Sequence, residues 1–272
     1  MSLQLASIHI HPIKSLGGFG MNEALITDRG LQHDRRWMLV DQDGRFLSQR
    51  ELPAMACLHT EPAEHGFHIT DVRTGDTLHL SWQLHEGTSC RAQVWEDAVE
   101  VVAAEKHLSH WFGQRLGAAT RLVYMPEASV RPTDSTYANA ITSLSDGFPF
   151  LILSQASLND LNERMAPKDR VPMDRFRPNL VIGGGAAYQE DQWRRVLIGD
   201  AGFEVVKPCA RCVITTTDQR TGLRGREPLA TLAQYRRRAG DPSKVDFGMN
   251  AIATSGEQVR VGDAVRVITA VG

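Results

Sequence analysis

Apolar and polar residues alternate in short runs over the first third of the chain, and the runs come in pairs. Trp37 to Asp41 and Arg45 to Gln49 flank Asp43-Gly44, a strong two-residue hairpin signal. FHITDV and TLHLSW surround Arg73-Thr74-Gly75-Asp76, and CRAQVW and VEVVAA surround Glu96-Asp97-Ala98. Hairpins at this spacing predict a barrel or sandwich rather than strand–helix–strand units. KHLSHWFGQRLG then changes the period: Leu108, Trp111, Phe112 and Leu116 recur at helical spacing, with Gly117 placed to cap the end. That helix predicts the close of a first domain near residue 120.

The second half mixes periods. RLVYM (121–125) reads as a strand, and the polar stretch from Pro126 to Gly147 is long enough to be functional or mobile rather than a mere connector. FPFLILS reads as a buried strand. Ser154 then caps a helix whose Leu158, Leu161 and Met165 share one face. NLVIGG predicts another strand, and RVLIGDAGFEVVKP one more. Glu227-Pro228 opens a helix through LATLAQYRRR, and QVRVGDAVRVITA predicts closing strands around Gly262-Asp263. No internal repeat or low-complexity segment interrupts the pattern.

Composition narrows the class without naming it. The chain has 272 residues, with 42% apolar and 23% charged, ordinary values for a globular protein. A net charge of −2 gives no global attraction to nucleic acid or membrane. MSLQLASIHIHPIK has neither the basic start nor the apolar core of a signal peptide, and no run approaches a membrane span. The four cysteines Cys57, Cys90, Cys209 and Cys212 are too few for a disulfide scaffold. A cytoplasmic address is the expectation.

KPCARCVITTTDQRTG carries the densest chemistry. Cys209 and Cys212 have dithiol spacing, but the β-branched run Val213 to Thr217 that follows predicts a strand, whereas redox dithiols open helices. Structural zinc needs four ligands, and the only close histidine pair is His9 and His11. Two small apolar cysteines packed in a core strand are the plain alternative, although Arg211 lies between them. The motif alone therefore leaves a soft-metal or thiolate site and a packed core both open. Elsewhere, Lys14-Ser15 before Gly17-Gly18 suits a bound phosphate, His33-Asp34-Arg35-Arg36 brings cations to a hairpin, and Phe176-Arg177-Pro178-Asn179 leads into a strand. Each of these also reads, singly, as a solvated edge. Gly183-Gly184-Gly185 lacks the dinucleotide fingerprint and reads as a turn.

Taken in order, IHPIKS, HDRRWMLV, FPFLILSQASLNDLN, FRPNLVI and PCARCVITTTDQRTG resemble the MOSC proteins, named for the molybdenum-cofactor sulfurase C-terminal domain. The similarity is to the subgroup with an N-terminal MOSC-associated β-barrel, which includes the amidoxime-reducing components, and it runs from about residue 5 to 268. The resemblance implies a mixed α/β, β-rich fold: an N-terminal β-barrel-like domain over residues 1–120, then a MOSC β-barrel domain with a few helices over 121–272. It implies a molybdenum–molybdopterin cofactor in the cleft between them, with Cys212 as metal ligand and catalytic residue and Cys209 structural or incidental. Lys14, Ser15, Arg35, Arg177, Asn179, Ala210 and Arg211 match family positions that meet the cofactor. Gly147 and Phe148 stand where some members have Thr-Ser, so any contact there falls to backbone N–H groups. Arg211 is the cation expected to favour a Cys212 thiolate, and phosphate is best met by arginine. Asp218 reads as a turn residue.

The activity implied is reduction of N-hydroxylated small molecules: amidoximes, hydroxylamines and hydroxylated nucleobases. No CxxxxCxxC iron–sulfur signature is present, so electrons are expected from a separate ferredoxin-, flavin- or cytochrome-type protein. Two alternatives stay open. One is a sulfur or cofactor carrier without turnover, with a persulfide on Cys212; the other is a dithiol enzyme using Cys209 and Cys212.

Overall fold

The computed structural model describes residues 2–270. Five strands come first: β1 (Gln4–Ile10), β2 (Phe19–Met21), β3 (Glu23–Thr27), β4 (Gly30–Leu31) and β5 (Trp37–Val40). A meander follows, β6 (Leu58–Ala63), β7 (Gly66–Asp71) and β8 (Thr77–Ser81), then the hairpin β9 (Thr88–Val94) and β10 (Asp97–Ala103). Helix α1 (Lys106–Leu116) and strand β11 (Arg121–Tyr124) close the first half. The second contains β12 (Phe150–Ser154), α2 (Gln155–Glu163), β13 (Leu180–Gly183), β14 (Trp193–Ile198) and β15 (Ala201–Ala210). Helix α3 (Leu229–Tyr235), β16 (Arg237–Arg238), β17 (Asp241–Ser255), β18 (Gln258–Arg260) and β19 (Val265–Ala270) complete it.

The main sheet runs β19-β14-β15-β17-β12-β13-β1-β2, and it closes on itself. Gln4 bridges Ala264; the Leu5 N–H donates to Asp263 O at 2.8 Å and the Val265 N–H to Leu3 O at 3.0 Å. Seven strands thus form a barrel, which removes the exposed edges of an open sheet. Leu5, Ile8, Phe150, Ile152, Ile182, Val196, Phe203 and Met249 fill its interior, with Ala24, Leu31 and Val259 of the small β18-β3-β4 sheet packed in the same core. The first strand of the chain is therefore a stave of a barrel built mostly from its last half. Conversely, β11 pairs with β5 and β10, so the chain crosses the expected division at residue 120 in both directions.

In the β5-β11-β10-β9 sheet, β5 and most of β11 are buried on both faces, as their apolar runs WMLV and LVY require, while β9 and β10 alternate buried and exposed residues. Trp37, Leu39, Leu122 and Tyr124 pack against Phe67, Ile69, Phe112 and Leu116, while Met38, Val40, Val123 and Met125 pack against Val94, Val99, Val101 and Leu144. A further apolar layer outside the barrel seats the helices: Leu153, Leu158, Leu161, Leu232 and Phe247. Strand β17 serves both layers, Phe247 outward and Met249 inward. Gly248 between them has φ +79°, and a Cβ there would lie 3.0 Å from Ile152 O.

Several sequence expectations are met and several corrected. Helix α2 begins and α1 ends as their caps imply; Ser154 Oγ accepts from the Ser157 N–H, and Gly117 is left-handed with φ +63°. RVLIGDAGFEVVKP is two strands rather than one, folded back at Gly199-Asp200 with Gly199 at φ +58°. The β9–β10 turn is Trp95-Glu96, because Val94 pairs directly with Asp97. Beyond Asp43-Gly44 isolated bridges form, Val40 with Phe46 and Arg45 with Gln93, but not a full second strand. The arginines after Tyr235 leave the helix, and Arg237 and Arg238 pair with β17. The run after Cys212 is a single 3-10 turn, Val213–Thr216, rather than a strand. Thr215 Oγ1 donates to Cys212 O at 3.0 Å and Thr216 Oγ1 to Val213 O at 2.8 Å, local bonds that outweigh β propensity. Among the described residues no helix is long and apolar enough to cross a membrane.

Candidate functional site

One cavity of about 360 Å³ lies where the barrel meets the β5-β11-β10-β9 sheet. Every cofactor contact expected from the sequence lines it: Lys14, Ser15, Arg35, Gly147, Phe148, Arg177, Asn179, Ala210, Arg211 and Cys212. They arrive from five segments separated by up to two hundred residues. Nine basic side chains line the cavity, against one acid, Asp146. Backbone strain concentrates here too. Six non-glycine residues among those described have positive φ, and Ser15 (67°), Arg35 (47°), Trp95 (56°) and Arg177 (54°) all line this cavity.

Lys14 follows β1 and is locked by its N–H to Trp37 O at 2.8 Å. Its buried ammonium donates to Leu144 O at 3.0 Å and to Asp146 Oδ1 at 2.6 Å. Burial, partly offset by Asp146, brings Lys14 down to about 8; Lys14 in turn holds the Asp146 carboxyl well below the usual carboxylate range, against its own desolvation. Arg35 is fixed by Asp34 at 2.5 Å and donates to Arg177 O at 3.1 Å. Arg177 donates Nη1 to Leu16 O, and its Nη2 is buried without a partner. Burial and then the neighbouring Arg35 disfavour its charge.

Asn179 is a structural knot as much as a contact. Its Oδ1 accepts from the Leu151 N–H at 3.2 Å and its Nδ2 donates to His9 O at 3.3 Å, tying β12 to β1. Gly147 faces open space, so a larger residue would fit there, and Phe148 packs edge-on against Tyr137 beneath the Lys207 ammonium. His9 and His11, the pair with metal-like spacing, do not join the cavity. His9 bonds Ser7, and His11 is buried, its pKa lowered first by desolvation and then by Arg177 and Arg35. Among the described residues no three His, Cys, Asp or Glu side chains converge as a metal site.

The two cysteines have different cations, and not the expected ones. The hydrogen bond to Cys212 Sγ comes from Arg50 Nη2 at 3.2 Å. Arg211, expected at Cys212, instead donates Nη1 to Cys209 Sγ at 3.3 Å and Nη2 to Phe176 O at 3.1 Å. Burial pushes the Cys209 thiol up despite that guanidinium. Asp218 is the turn residue anticipated: Oδ1 accepts from Arg220 N–H, Thr221 N–H and Thr221 Oγ1, while Oδ2 pairs with Arg175 at 2.8 Å.

Sequence reasoning missed Arg50, Trp95, Asp146, Arg175 and Lys207, all of which line the cavity. Arg50 also stacks on Trp95, 4.6 Å from the ring centroid, so the mouth and the thiol share one guanidinium. None of the five stands out in a one-dimensional pattern; an arginine after a predicted strand looks like any solvated charge.

The donor set fits an anionic, thiolate-ligated group. Arg50 Nη1, Arg175 Nε, Arg177 Nη2 and Arg211 Nε are buried N–H donors with no partner, all on cavity-lining residues. A phosphate or a polar ring edge would satisfy them, and Cys212 supplies a soft ligand beside them.

Both halves of the chain match known families. Residues 2–119 match the MOSC N-terminal beta barrel domain, and residues 140–266 match the MOSC domain. The chain is 32% identical over 296 residues to mitochondrial amidoxime-reducing component 1 of Mus musculus, covering 97% of this chain and 82% of that protein. The Homo sapiens counterpart is similar to the same extent, 32% over 296 residues with the same coverage. A molybdenum cofactor sulfurase of Oryza sativa subsp. japonica is 32% identical over 276 residues, covering 91% of this chain but 32% of that longer protein.

Proposed function

The chain belongs to the MOSC family, with the MOSC N-terminal β-barrel domain ahead of its MOSC domain, and from that premise we propose that it is a molybdenum-cofactor-dependent reductase of N-hydroxylated compounds. The observation that carries the reading is the cavity: Cys212 at one wall, nine basic residues around it, and four buried guanidinium N–H groups without partners. The likeness to amidoxime-reducing components over 97% of the chain supports the reductase class. Bound molybdopterin would supply a two-electron metal centre able to take the oxygen of an N–O bond.

The protein's own residues do the rest. Lys14, Arg35, Arg177 and Arg211 hold the phosphate and set the orientation of the group. Cys212 offers the protein's sulfur ligand, and Arg50 Nη2 donates a hydrogen bond to its Sγ at 3.2 Å. Ser15 and the backbone N–H groups at Gly147 and Phe148 contribute neutral donors. Trp95, half-exposed at the β9–β10 turn, forms one wall of the opening through which a substrate passes. Overall the reaction converts N–OH to N–H with uptake of two electrons and two protons and release of water.

The test is elemental analysis for molybdenum and zinc on wild type, Cys212→Ala and Cys209→Ala from a molybdate-supplied host, with pterin fluorescence after oxidation. Wild type and Cys209→Ala are expected to carry about one molybdenum per chain. Cys212→Ala is expected to lose or loosen the metal. Zinc, or neither metal nor pterin, in wild type would overturn the assignment. A carrier role is the second reading, favoured by the likeness to molybdenum cofactor sulfurases. A carrier retains cofactor but does not turn over benzamidoxime with reduced viologen; a reductase does.

A further inference from the structure

The segment after Cys212 has features the cofactor site does not use. From Val213 to Arg226 there are three basic residues, Arg220, Arg224 and Arg226, and one acid, in a chain whose net charge is −2. The one acid, Asp218, is taken by Arg175 and by its own turn. Arg220 and Arg226 are exposed, and between them Leu223 is 71% exposed, the most exposed large apolar side chain among the described residues. Val213, next to Cys212, adds a second exposed apolar side chain.

The loop is built rather than loose. The Asp218 N–H donates to Leu223 O at 2.8 Å, Gly222 N–H to Asp218 O at 2.8 Å and Gly225 N–H to Thr216 O at 3.0 Å. Gly222, at φ +70°, packs against Pro53 O, where a Cβ would sit 3.2 Å away. The loop is also joined to the site by two contacts. Arg224 Nη2 donates to Arg50 O at 2.7 Å, and Arg50 Nη2 donates to Cys212 Sγ at 3.2 Å.

We infer that the loop from Asp218 to Arg226 is the docking surface for an acidic one-electron carrier protein, with Leu223 at the centre of the contact and Arg220 and Arg226 at its rim. The inference rests on the reductase reading. A rigid apolar residue flanked by two exposed cations is a composition that draws an acidic partner and excludes water at the contact. The position suits the redox need: each N–OH reduced consumes two electrons and two protons, so such a carrier docks twice, each time two contacts from the metal's protein ligand.

The experiment compares metal-loaded wild type with the Arg220→Glu/Arg226→Glu double variant, reducing benzamidoxime with either an acidic [2Fe–2S] ferredoxin or the viologen radical. The double variant is expected to lose about tenfold or more in kcat/KM for ferredoxin at low salt, with the gap closing near about 0.5 M salt, while viologen-driven rates agree within about twofold. Leu223→Ser is expected to weaken ferredoxin use at both salts. An unchanged ferredoxin dependence in both variants, or equal loss with both donors, overturns the docking surface. Failure of the metal-loaded wild type with viologen overturns the reductase reading itself and removes the need for a donor surface.

Discussion

Lys14 shows how a single side chain couples the cavity to pH. Its ordinary value of 10.5 falls to about 8, chiefly through burial. Below that value the ammonium is charged and available to an anion; above it the charge goes. Affinity of the metal-free protein for sulfate, whose own charge is constant here, is expected to fall from pH 7 to 9, by up to about tenfold per unit above 8. Lys14→Met is expected to bind sulfate weakly at both pH values and to flatten that dependence, as read by calorimetry. The same shift acts on stability in the opposite sense. Between about pH 8 and 10.5 the unfolded chain holds the proton and the folded chain does not, so Lys14 makes folding more favourable as pH rises through that window.

At the scale of elements, the stretch from Pro126 to Gly147 contains no regular helix or strand, yet it is anchored. The buried Arg131 donates to Ser143 O at 3.1 Å, Ser145 O at 2.6 Å and Asp146 O at 3.1 Å, and pairs with Asp97 at 2.8 Å. One guanidinium thus does for this segment what a strand ladder does elsewhere. It also sets the positions of Asp146, Gly147 and Phe148 at the cavity. Arg131→Met leaves several buried carbonyls without a donor, and a loss of about 2–4 kcal/mol in chemical unfolding is expected. Cofactor content should fall with it, since the wall of the site loosens. Unchanged stability would show that the segment is held by something other than Arg131.

For the whole molecule, the barrel closes only because β1 lies between β13 and the start of β19. A fragment of residues 121–272 lacks that stave and exposes β13 as a free edge. It is expected to aggregate or to show no cooperative thermal transition by circular dichroism. Co-expression with residues 1–120 is expected to restore soluble protein. A monomeric, cooperatively folding fragment would show that the barrel does not need β1.

The sequence by itself determined most local structure and named residues that the fold brings to one cavity. Alternation and turn residues marked the hairpins, helical spacing and caps marked α1 and α2, and five ordered motifs named ten residues that all line one cavity. These signals are legible because they are local: a period of two, a capping serine, a short motif. Tertiary structure decided what depends on distant partners. It turned Val213–Thr216 into a 3-10 turn, placed β1 in the far barrel, and gave Cys212 its cation from Arg50 rather than from adjacent Arg211. Chain proximity does not determine which guanidinium reaches a sulfur. Packing does, because Arg211 is committed to Cys209 and Phe176 O while the docked loop of Arg224 holds the Arg50 backbone beside the thiol.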